Sequence, residues 1–431
     1  MSSEYQSVTI GDVCDVGDGA HSKVERVSKG IPYLTSKNIK QGTLDTSKVD
    51  YISEGYFIRL FTVRPGTVRR PESGDVLMGI IGTFGNFYQY KESDRFGVSS
   101  AVAILRPRQE VVCPEYLGVV CSSNLFKSFH QQVKSGSVQG YTNISTIKTL
   151  PIPLPPLPEQ KAIAHILGTL DDKIELNRKT NETLEAMAKA LFKSCFVDFD
   201  PVRAKAQGRP TGLAAEISGL FPDSFEDSEL GDIPSEWKVD SIYSVASVTY
   251  GAPFSSSLFN GEGNGTPVAR IRDLPGESPG VFTAEVHPKG TLIAPGDIVV
   301  GMDGEFRAYL WGGEECWMNQ RVCKFIPSKK DRTCFLRETI RKPLMDVEVS
   351  ETATTVIHLG KGDIDGFRVV VSTQEILDIF SASTTPLYEK VVANKQQTRV
   401  FANIRNALLP KLISGEIRIP DAEKMLEEVG I

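Results

Sequence analysis

The stretch YQSVTIGDVCDVGDG (residues 5–19) returns as WKVDSIYSVASVTYG (residues 237–251), 232 positions later. Further along, SGDVLMGIIGTF (residues 73–84) matches PGDIVVGMDGEF (residues 295–306) at an offset of 222. Order is preserved over nearly the whole chain, and the offset changes little. The sequence therefore predicts two similar modules related by a pseudo-two-fold axis, with a partner surface that also comes in two halves.

Length and composition limit the class of protein. A chain of 431 residues is too long for one core, whereas each half has the size of an ordinary domain. No run of 18 apolar residues occurs and the N-terminus is polar, which predicts a cytoplasmic location. The seven cysteines form no CxxC pair, so they are interpreted as buried reduced thiols rather than disulfides or zinc ligands.

The net charge of -6 argues against a protein that coats nucleic acid without regard to sequence. Residues 1–150 carry 17 Lys and Arg against 14 Asp and Glu, while residues 225–372 carry 15 against 22. Any DNA contact must then use local basic patches or a partner subunit that neutralises phosphates. The affinity of the chain alone is expected to be modest.

Short Val, Ile and Leu runs bounded by Gly, Pro and Ser predict strands in each half. In the first half these runs are VTIGDVCDV, GDVLMGIIG, VSSAVAILRP and KTLPIPLP. The segment PLPEQ then begins a long helix, with Glu159 in the first turn near the positive end of the helix dipole. The predicted fold class is α+β, with two pseudo-symmetric β-rich regions and two long helices.

Along the first long helix, apolar residues alternate four and three positions apart for about four repeats, as in a coiled coil. The second copy repeats the pattern more weakly, and its Pro386 is expected to kink or restart the helix. We interpret the two helices as an antiparallel pair; the alternative is that each is an amphipathic helix packed on its own domain. The predicted pairing seam comprises Ile163, Leu167, Leu170, Ile174, Asn177, Leu184, Leu191, Leu387, Val391, Asn394, Phe401 and Leu408.

Both copies place an asparagine at the same seam position, Asn177 and Asn394. An asparagine in an apolar seam fixes the register of two helices when it finds a polar partner. Asn177 is therefore expected either to face Asn394 or to lie at a partly hydrated rim. The helix from Ile163 to Cys195 would span about 48 Å, or roughly fourteen base pairs of B-DNA, which suits a spacer between two separated half-sites.

The segment of residues 192–239, which begins FKSCFVDFDP and ends SEWKV, resembles the central conserved region of type I restriction-modification specificity (S) subunits. ALLPKLISGEIRIP (residues 407–420) resembles their C-terminal conserved region, and PIPLPPLPEQKAI (residues 151–163) their strand-to-helix junction. Cys195 stands where that family commonly has an aromatic residue. The second junction, VVVSTQEIL, lacks the Pro-rich and Glu-Gln features of the first, so the second helix is expected to begin less cleanly.

The resemblance implies two target recognition domains that each recognise half of a bipartite asymmetric DNA site, separated by two long antiparallel coiled-coil helices. It also implies a non-catalytic subunit that docks two modification (methyltransferase) subunits and possibly two restriction (endonuclease/translocase) subunits. S-adenosylmethionine, ATP and Mg would belong to those partners. The corresponding division is residues 1–155 for the first recognition domain, 156–222 for the first conserved helical region and linker, 223–372 for the second recognition domain and 373–431 for the second conserved helical region.

Catalytic motifs are absent from the sequence. There is no GxxxxGK phosphate loop, no Asn-Pro-Pro-aromatic tetrapeptide of an amino-methyltransferase, and no metal-ligand spacing among the five histidines. Asp171, Asp172 and Lys173 resemble part of a nuclease site, but they lie within the heptads and are interpreted as a hydrated helix face. No catalytic or metal-binding residue is predicted.

Polar residues in the turns that the repeat aligns are the candidates for DNA contact, because Lys, Arg, Asn and Asp suit base edges and phosphates. These turns differ between the copies while the scaffold agrees, as expected if each half recognises a different sequence. Any one of them can equally be an ordinary surface turn residue. The candidates are Lys23, Ser36, Lys37, Asn38, Thr83, Asn86, Tyr88, Ser99, Ser100, Arg272, Asp273, Glu305, Arg307, Tyr309, Asn319, Gln320 and Arg321.

Two other functional classes compete with this interpretation. A scaffold that holds partner subunits without recognising DNA would give a reconstituted methyltransferase with no sequence preference. A self-sufficient nuclease or methyltransferase would act on DNA as the purified chain alone.

Overall fold

A computed structural model describes residues 5–22, 24–64, 66–81, 86–134, 142–350, 357–428 and 430–431, with backbone alone for residues 130–134. The chain divides into two compact units. One contains Met1–Lys173 together with Phe401–Ile431, and the other contains Ile174–Val400. Two long helices, α6 (Leu157–Phe196) and α11 (Gln374–Ser414), each contribute to both units.

Residues 5–154 form a first β module, in which β2, β8, β5 and β6 make one antiparallel sheet and β4, β3 and β7 make another. The strand β1 pairs with β9 beside α6. The strands are β1 Gln6–Thr9, β2 Cys14–Asp18, β3 Ile31–Leu34, β4 Asp50–Ile52, β5 Val76–Gly79, β6 Phe87–Gln89, β7 Gly97–Val98, β8 Val102–Pro107 and β9 Pro151–Leu154. The helices are α1 Ile10–Val13, α2 Glu54–Leu60, α3 Pro114–Ser122, α4 Asn124–Lys134 and α5 Ile144–Lys148.

A connecting segment and a second β module follow α6. The segment contains α7 Asp200–Ala206, α8 Ala215–Leu220, β10 Phe225–Glu226 and β11 Ile233–Pro234. The second β module, residues 238–371, has strands β12 Lys238–Ser241, β13 Ala246–Tyr250, β14 Thr266–Ala269, β15 Phe282–Thr283, β16 Leu292–Ile293, β17 Ile298–Gly301, β18 Ala308–Leu310, β19 Cys316–Met318, β20 Val322–Pro327 and β21 Arg368–Val371. Its helices are α9 Thr333–Ser350 and α10 Lys361–Asp365, and α12 Ile419–Glu427 follows α11.

The two β modules share one topology, which confirms the internal repeat. The sheet order β2-β8-β5-β6 reappears as β13-β20-β17-β18. The parallel pair β3–β7 reappears as β14–β19, and the closing pair β1–β9 reappears as β12–β21. The predicted α+β class with two pseudo-symmetric β-rich modules and two long helices is confirmed.

One predicted strand is interrupted. The run VTIGDVCDV contains the short helix α1 between β1 and β2, because the backbone N–H and the hydroxyl of Thr9 both donate to Asp12 Oδ2, at 2.8 and 2.7 Å. This capping arrangement favours a helical turn over a continuous strand. The β propensity of valine and isoleucine alone did not indicate the turn.

In the second unit, α6 and α11 pack against the second β module through aromatic side chains. The ring of Phe196 lies 5.0 Å from that of Phe380, 5.1 Å from that of Phe335 and 5.7 Å from that of Trp237 between centroids. Aromatic rings in such tilted and edge-on arrangements stabilise a core beyond their area burial. Cys195, where the resembling family commonly has an aromatic residue, is half-buried beside this cluster.

All seven cysteines are free, and six of them are buried. Burial raises the pKa of Cys323 to about 12 and that of Cys195 to about 11, because a thiolate is poorly solvated there. The interpretation as buried thiols therefore holds for every cysteine except the half-buried Cys195.

The long helices pair in an antiparallel direction within the second unit. Asn181 Oδ1 accepts a hydrogen bond from Asn394 Nδ2 at 2.8 Å, while Asn177 Nδ2 donates to Gln397 Oε1 at 3.0 Å. In the first unit, Arg405 Nη1 donates to Asp171 Oδ1 at 2.6 Å. Of the predicted seam, Ile163, Leu167, Leu170, Val391, Asn394, Phe401 and Leu408 are buried and Ile174, Asn177, Leu184 and Leu387 are half-buried.

Asn177 does face Asn394, because its Nδ2 donates to the Asn394 backbone carbonyl at 3.4 Å, while the Asn394 side-chain amide pairs with Asn181. Two other details of the predicted helices are wrong. Leu191 is 41% exposed, and Ala188 and Phe192 occupy the interior instead. The helix α11 does not restart at Pro386, and two residues separate it from β21, just as two residues separate α6 from β9.

Candidate nucleic-acid interface

Three turns of the first β module meet at one edge of its sheets. The strands β3 and β7 are parallel, so both end at that edge, where the Ser99 N–H donates to the Leu34 carbonyl at 2.9 Å. The Ile80 N–H then donates to the Ala101 carbonyl at 3.0 Å. These bonds place the turn after β3, the start of the segment after β5 and the turn before β8 side by side. We call residues 35–38, 80, 81, 86 and 99–101 the first edge.

The second β module builds the same arrangement from different side chains. The Asn319 N–H donates to the Ala269 carbonyl at 3.1 Å, and the Met302 N–H donates to the Arg321 carbonyl at 2.9 Å. We call residues 270–273, 302–307 and 319–321 the second edge. The candidate turns that the repeat aligned in sequence are thus brought together in each module.

A glycine at the end of β2 or β13 makes this close approach possible. A Cβ at Gly19 would lie 2.0 Å from the Val98 carbonyl oxygen, and one at Gly251 would lie 2.0 Å from the Asn319 carbonyl oxygen. No side chain fits at such a distance, so both copies require glycine. The two glycines stand 232 positions apart, the offset at which the repeat begins.

The buried side chain of Asn38 stabilises the turn after β3 in the first edge. It is 7% exposed, its Oδ1 accepts from the Thr35 N–H at 2.9 Å, and its Nδ2 donates to the carbonyls of Asp45 at 2.9 Å and Lys48 at 3.0 Å. Contact with DNA would break these bonds and leave buried polar groups unpaired. The prediction of Asn38 as a DNA contact is therefore corrected to a role in shaping the turn; its neighbour Ser36 is 9% exposed and equally inaccessible.

Asp273 has the same role in the second edge. It is 9% exposed and accepts from the Arg270 backbone N–H at 3.0 Å and from Arg270 Nε at 2.8 Å. Its predicted availability to a base edge is likewise corrected. The adjacent residues Lys37 and Arg272 do point into solvent and stay candidates.

Tyr88 belongs to the core of the first module. It is 6% exposed, and its hydroxyl donates to Asp94 Oδ2 at 2.7 Å, so this candidate is also corrected. Asn86 is half-buried and its Nδ2 donates to the Ile39 carbonyl at 3.1 Å, joining two turns of the first edge. Lys23 and Thr83 lie outside the described residues.

The remaining candidates are accessible at the two edges. Glu305, Arg307, Gln320 and Arg321 are exposed in the second edge, where Asn319 is half-buried. Tyr309 is half-buried in β18, just after the segment 302–307. Ser99 and Ser100 are half-buried in the first edge. Their contact with DNA stays a prediction.

Carboxylates hold the arginines of the second edge in place. Arg307 donates to Glu348 Oε2 at 2.7 Å and lies 3.4 Å from Glu305. The hydrogen bond from Arg307 holds the pKa of Glu348 below its usual range. An arginine positioned in this way can present its other N–H groups to a base or phosphate at a lower entropy cost.

Sequence reasoning missed a second polar cluster at this edge. His358 Nδ1 lies 2.7 Å from Asp303 Oδ1, and Arg321 Nε lies 3.6 Å from Asp303 Oδ2. The backbone joins these residues as well, since the Leu359 N–H donates to the Met302 carbonyl at 2.8 Å. His358 comes 55 residues after Asp303, and no spacing in the sequence indicates that the two meet.

Within the described parts of the chain, no group of three or more His, Cys, Asp or Glu side chains could hold a metal ion. Among the helices in those same parts of the chain, none is long and apolar enough to cross a membrane. The two edges are instead polar turn surfaces whose backbones agree and whose side chains differ.

Residues 2–186 match the family model of the type I restriction modification DNA specificity domain. The chain is 25% identical over 418 residues to the type I restriction enzyme HindI specificity subunit of Haemophilus influenzae, covering 82% of this chain and 89% of that one. It is 25% identical over 449 residues to the MjaIX specificity subunit of Methanocaldococcus jannaschii, covering 98% and 95%. The crystal structure of a type I restriction-modification S subunit from M. genitalium has a similar fold, with a TM-score of 0.58 at 15% identity over 95% of this chain and 96% of that one.

Proposed function

We infer the function from one premise: this chain belongs to the family of type I restriction-modification specificity subunits. Its general role is therefore DNA sequence recognition in a restriction system. How it recognises a site, and with which partners, is our proposal.

We propose that each β module recognises one half of a bipartite, asymmetric DNA site through its edge. The two edges support this because their backbones are superposable in topology while their exposed side chains differ, with Lys37 in the first where the second has Arg272. Different side chains on one scaffold suit two different half-sites. The recognition domains are residues 1–155 and 223–372, and the helices of residues 156–222 and 373–431 set the unspecified gap.

We further propose that α6 docks the modification (methyltransferase) subunits. Leu176, Met187 and Leu191 are 59%, 49% and 41% exposed, and at about 100° per residue they lie within about 60° of one another around the helix. An apolar stripe left in water on a paired helix is typical of a protein interface. Two modification subunits, and two restriction subunits where the host encodes them, would supply S-adenosylmethionine, ATP and Mg together with all catalysis.

The observation that supports this function most strongly is the pair of matching edges on duplicated modules. The experiment is to map methylated adenines genome-wide in a host that carries this system. A split motif with a fixed unspecified gap is expected. A single continuous motif would contradict the two-module proposal, methylation without sequence preference would favour the scaffold alternative, and methylation or cleavage by the purified chain alone would reveal a self-sufficient enzyme.

A further inference from the structure

Glu277 occupies a backbone conformation that disfavours every residue except glycine. Its φ is +49°, one of three non-glycine residues with positive φ in the described chain. At the repeat offset of 235, the first module has Gly42 with a φ of +72° and no atom within 4 Å of where a Cβ would lie. The equivalent sequence position thus has a positive φ in both modules, with a glycine in one and a glutamate in the other. A side chain kept in this region costs free energy, which the surrounding contacts must offset.

The side chain of Glu277 joins the second edge to α11. Its carboxylate accepts from the Gly312 N–H at 2.8 Å and from Lys395 Nζ at 2.5 Å, and its backbone carbonyl accepts from Arg399 Nη1 at 2.6 Å. The Glu277 side chain is 14% exposed and that of Lys395 is 23% exposed, so this ion pair is largely shielded from water. Such a pair holds its geometry more firmly than one on the open surface.

Lys395 also contacts the strand that leads away from the segment after β17. Its Nζ donates to the Leu310 carbonyl, the last residue of β18, at 2.7 Å. A Cβ at Gly312 would lie 2.5 Å from the Lys395 Cβ, so the glycine allows the helix to approach this closely. We call Glu277, Gly312, Lys395 and Arg399 the Glu277 clamp.

The Glu277 clamp begins four residues after the turn 270–273 of the second edge. Between them, Leu274 is 1% exposed and packs into the module core, so a core contact anchors the short segment that joins the turn to the clamp. Through β18, the clamp also reaches the end of the segment 302–307. Two of the three turns of the second edge are therefore tied to α11.

The residues at the equivalent positions of the repeat cannot form the same clamp. At the repeat offset of 217, Lys395 corresponds to Arg178, whose guanidinium bonds Glu175 and Glu182 on its own helix. Gly42, the counterpart of Glu277, has no carboxylate to offer a basic side chain.

We propose that the Glu277 clamp fixes the second edge on α11 and thereby sets the gap between half-sites that the protein accepts. Glu277 and Lys395 are positioning residues: they act on the exposed turn residues and need not touch DNA. This inference rests on the proposed function, because it concerns how the second half-site is placed. Without the clamp the second module keeps its side chains and its base preference but gains freedom to shift.

The test uses the full chain reconstituted with its modification subunits and a DNA library whose gap varies by one base pair in either direction. Glu277→Gly is the principal variant, because glycine adopts positive φ freely and the first module already has it there. Thermal unfolding should show a folded chain. Lys395→Met breaks the clamp from the helix side, Lys395→Arg retains a cation, and Arg178→Met is the matched control on the other helix.

Discrimination of the native gap against an altered gap is expected to fall about tenfold in Glu277→Gly and Lys395→Met, which corresponds to about 1.4 kcal/mol. Both half-site sequences should be unchanged, and Lys395→Arg and Arg178→Met should discriminate like the wild type. Unchanged gap discrimination in folded Glu277→Gly and Lys395→Met, or an equal loss in Arg178→Met, would overturn the proposal. A wild-type protein without a split motif would instead refute the proposed function.

Discussion

Burial separates the polar residues that shape the two edges from those that can reach DNA. Asn38 and Asp273 follow their strands at equivalent positions, and the side chain of each accepts a backbone hydrogen bond within its own turn. Lys37 and Arg272, one residue earlier, are exposed. Neighbouring polar residues of one turn therefore have different roles: the buried one stabilises the turn, and the exposed one is accessible to DNA.

Asn38→Ala should lower the free energy of unfolding by about 1–3 kcal/mol, because it removes a buried amide and leaves the Asp45 and Lys48 carbonyls without their donor. Arg272→Ala should leave stability within about 0.5 kcal/mol of the wild type. Thermal or denaturant unfolding measures both. The same two proteins, assembled with modification subunits, should show weaker DNA binding for Arg272→Ala; normal binding in that variant would remove Arg272 from the interface.

The sequence predicted which turns meet at each edge, but not which of their side chains are exposed to solvent. Residue type cannot distinguish Asn38 from Lys37, since both are polar and lie in one turn. A local signal did exist: Thr35 and Asn38, like Arg270 and Asp273, stand three residues apart, the spacing at which a side chain bonds the backbone at the start of a turn. The bond from Asn86 to Ile39 and the contact of His358 with Asp303 depend on tertiary structure and leave no such trace.

At the scale of the helices, Leu191 is exposed rather than in the seam for a geometric reason. A straight helix has about 3.6 residues per turn, so a strict seven-residue pattern drifts by about 20° per heptad. By the end of α6 the buried face has moved from the predicted Leu191 to Phe192 and Phe196. The sequence predicted the pairing itself because the seam is long and present in both copies.

Leu184→Asp and Phe401→Asp should weaken subunit assembly or change half-site spacing. Phe401 is 2% exposed and Leu184 packs against the core of the second unit, so a carboxylate at either position would cost more than about 2 kcal/mol. Assembly measured by light scattering and the gap of the methylated motif report the effect. Leu191→Asp, on the exposed stripe, is the informative comparison: it should leave unfolding unchanged and still reduce capture of the modification subunit.

The hydrogen bond between Asn181 and Asn394 leads to a prediction about the free energy of unfolding. Asn394→Leu alone leaves Asn181 Oδ1 without its donor and should cost about 1–3 kcal/mol. The double variant Asn181→Leu with Asn394→Leu replaces both groups and should recover most of that stability, while the register of the helices becomes less strictly defined. Denaturant unfolding of the single and double variants forms a complete cycle, and additive losses would show that the two amides do not interact.

For the whole molecule, the net charge of -6 disfavours non-specific binding to DNA, because the phosphates repel a negatively charged protein. The arginines of the second edge are largely paired with carboxylates, as Arg307 is with Glu348. The isolated chain should therefore bind DNA weakly, with a shallower dependence of affinity on salt than the assembled complex, whose partners add phosphate contacts. Titrations at several salt concentrations test this, and equal slopes for chain and complex would contradict it.

The division of the chain between the two units carries a consequence for biosynthesis. The unit Ile174–Val400 is one uninterrupted segment, whereas the other joins Met1–Lys173 to Phe401–Ile431. During translation the continuous unit has all of its residues some thirty codons before the other can close. Residues 1–173 are made first but gain the contacts of residues 401–431 only after those have been synthesised, so we expect this unit to expose unpaired surface to chaperones for longer.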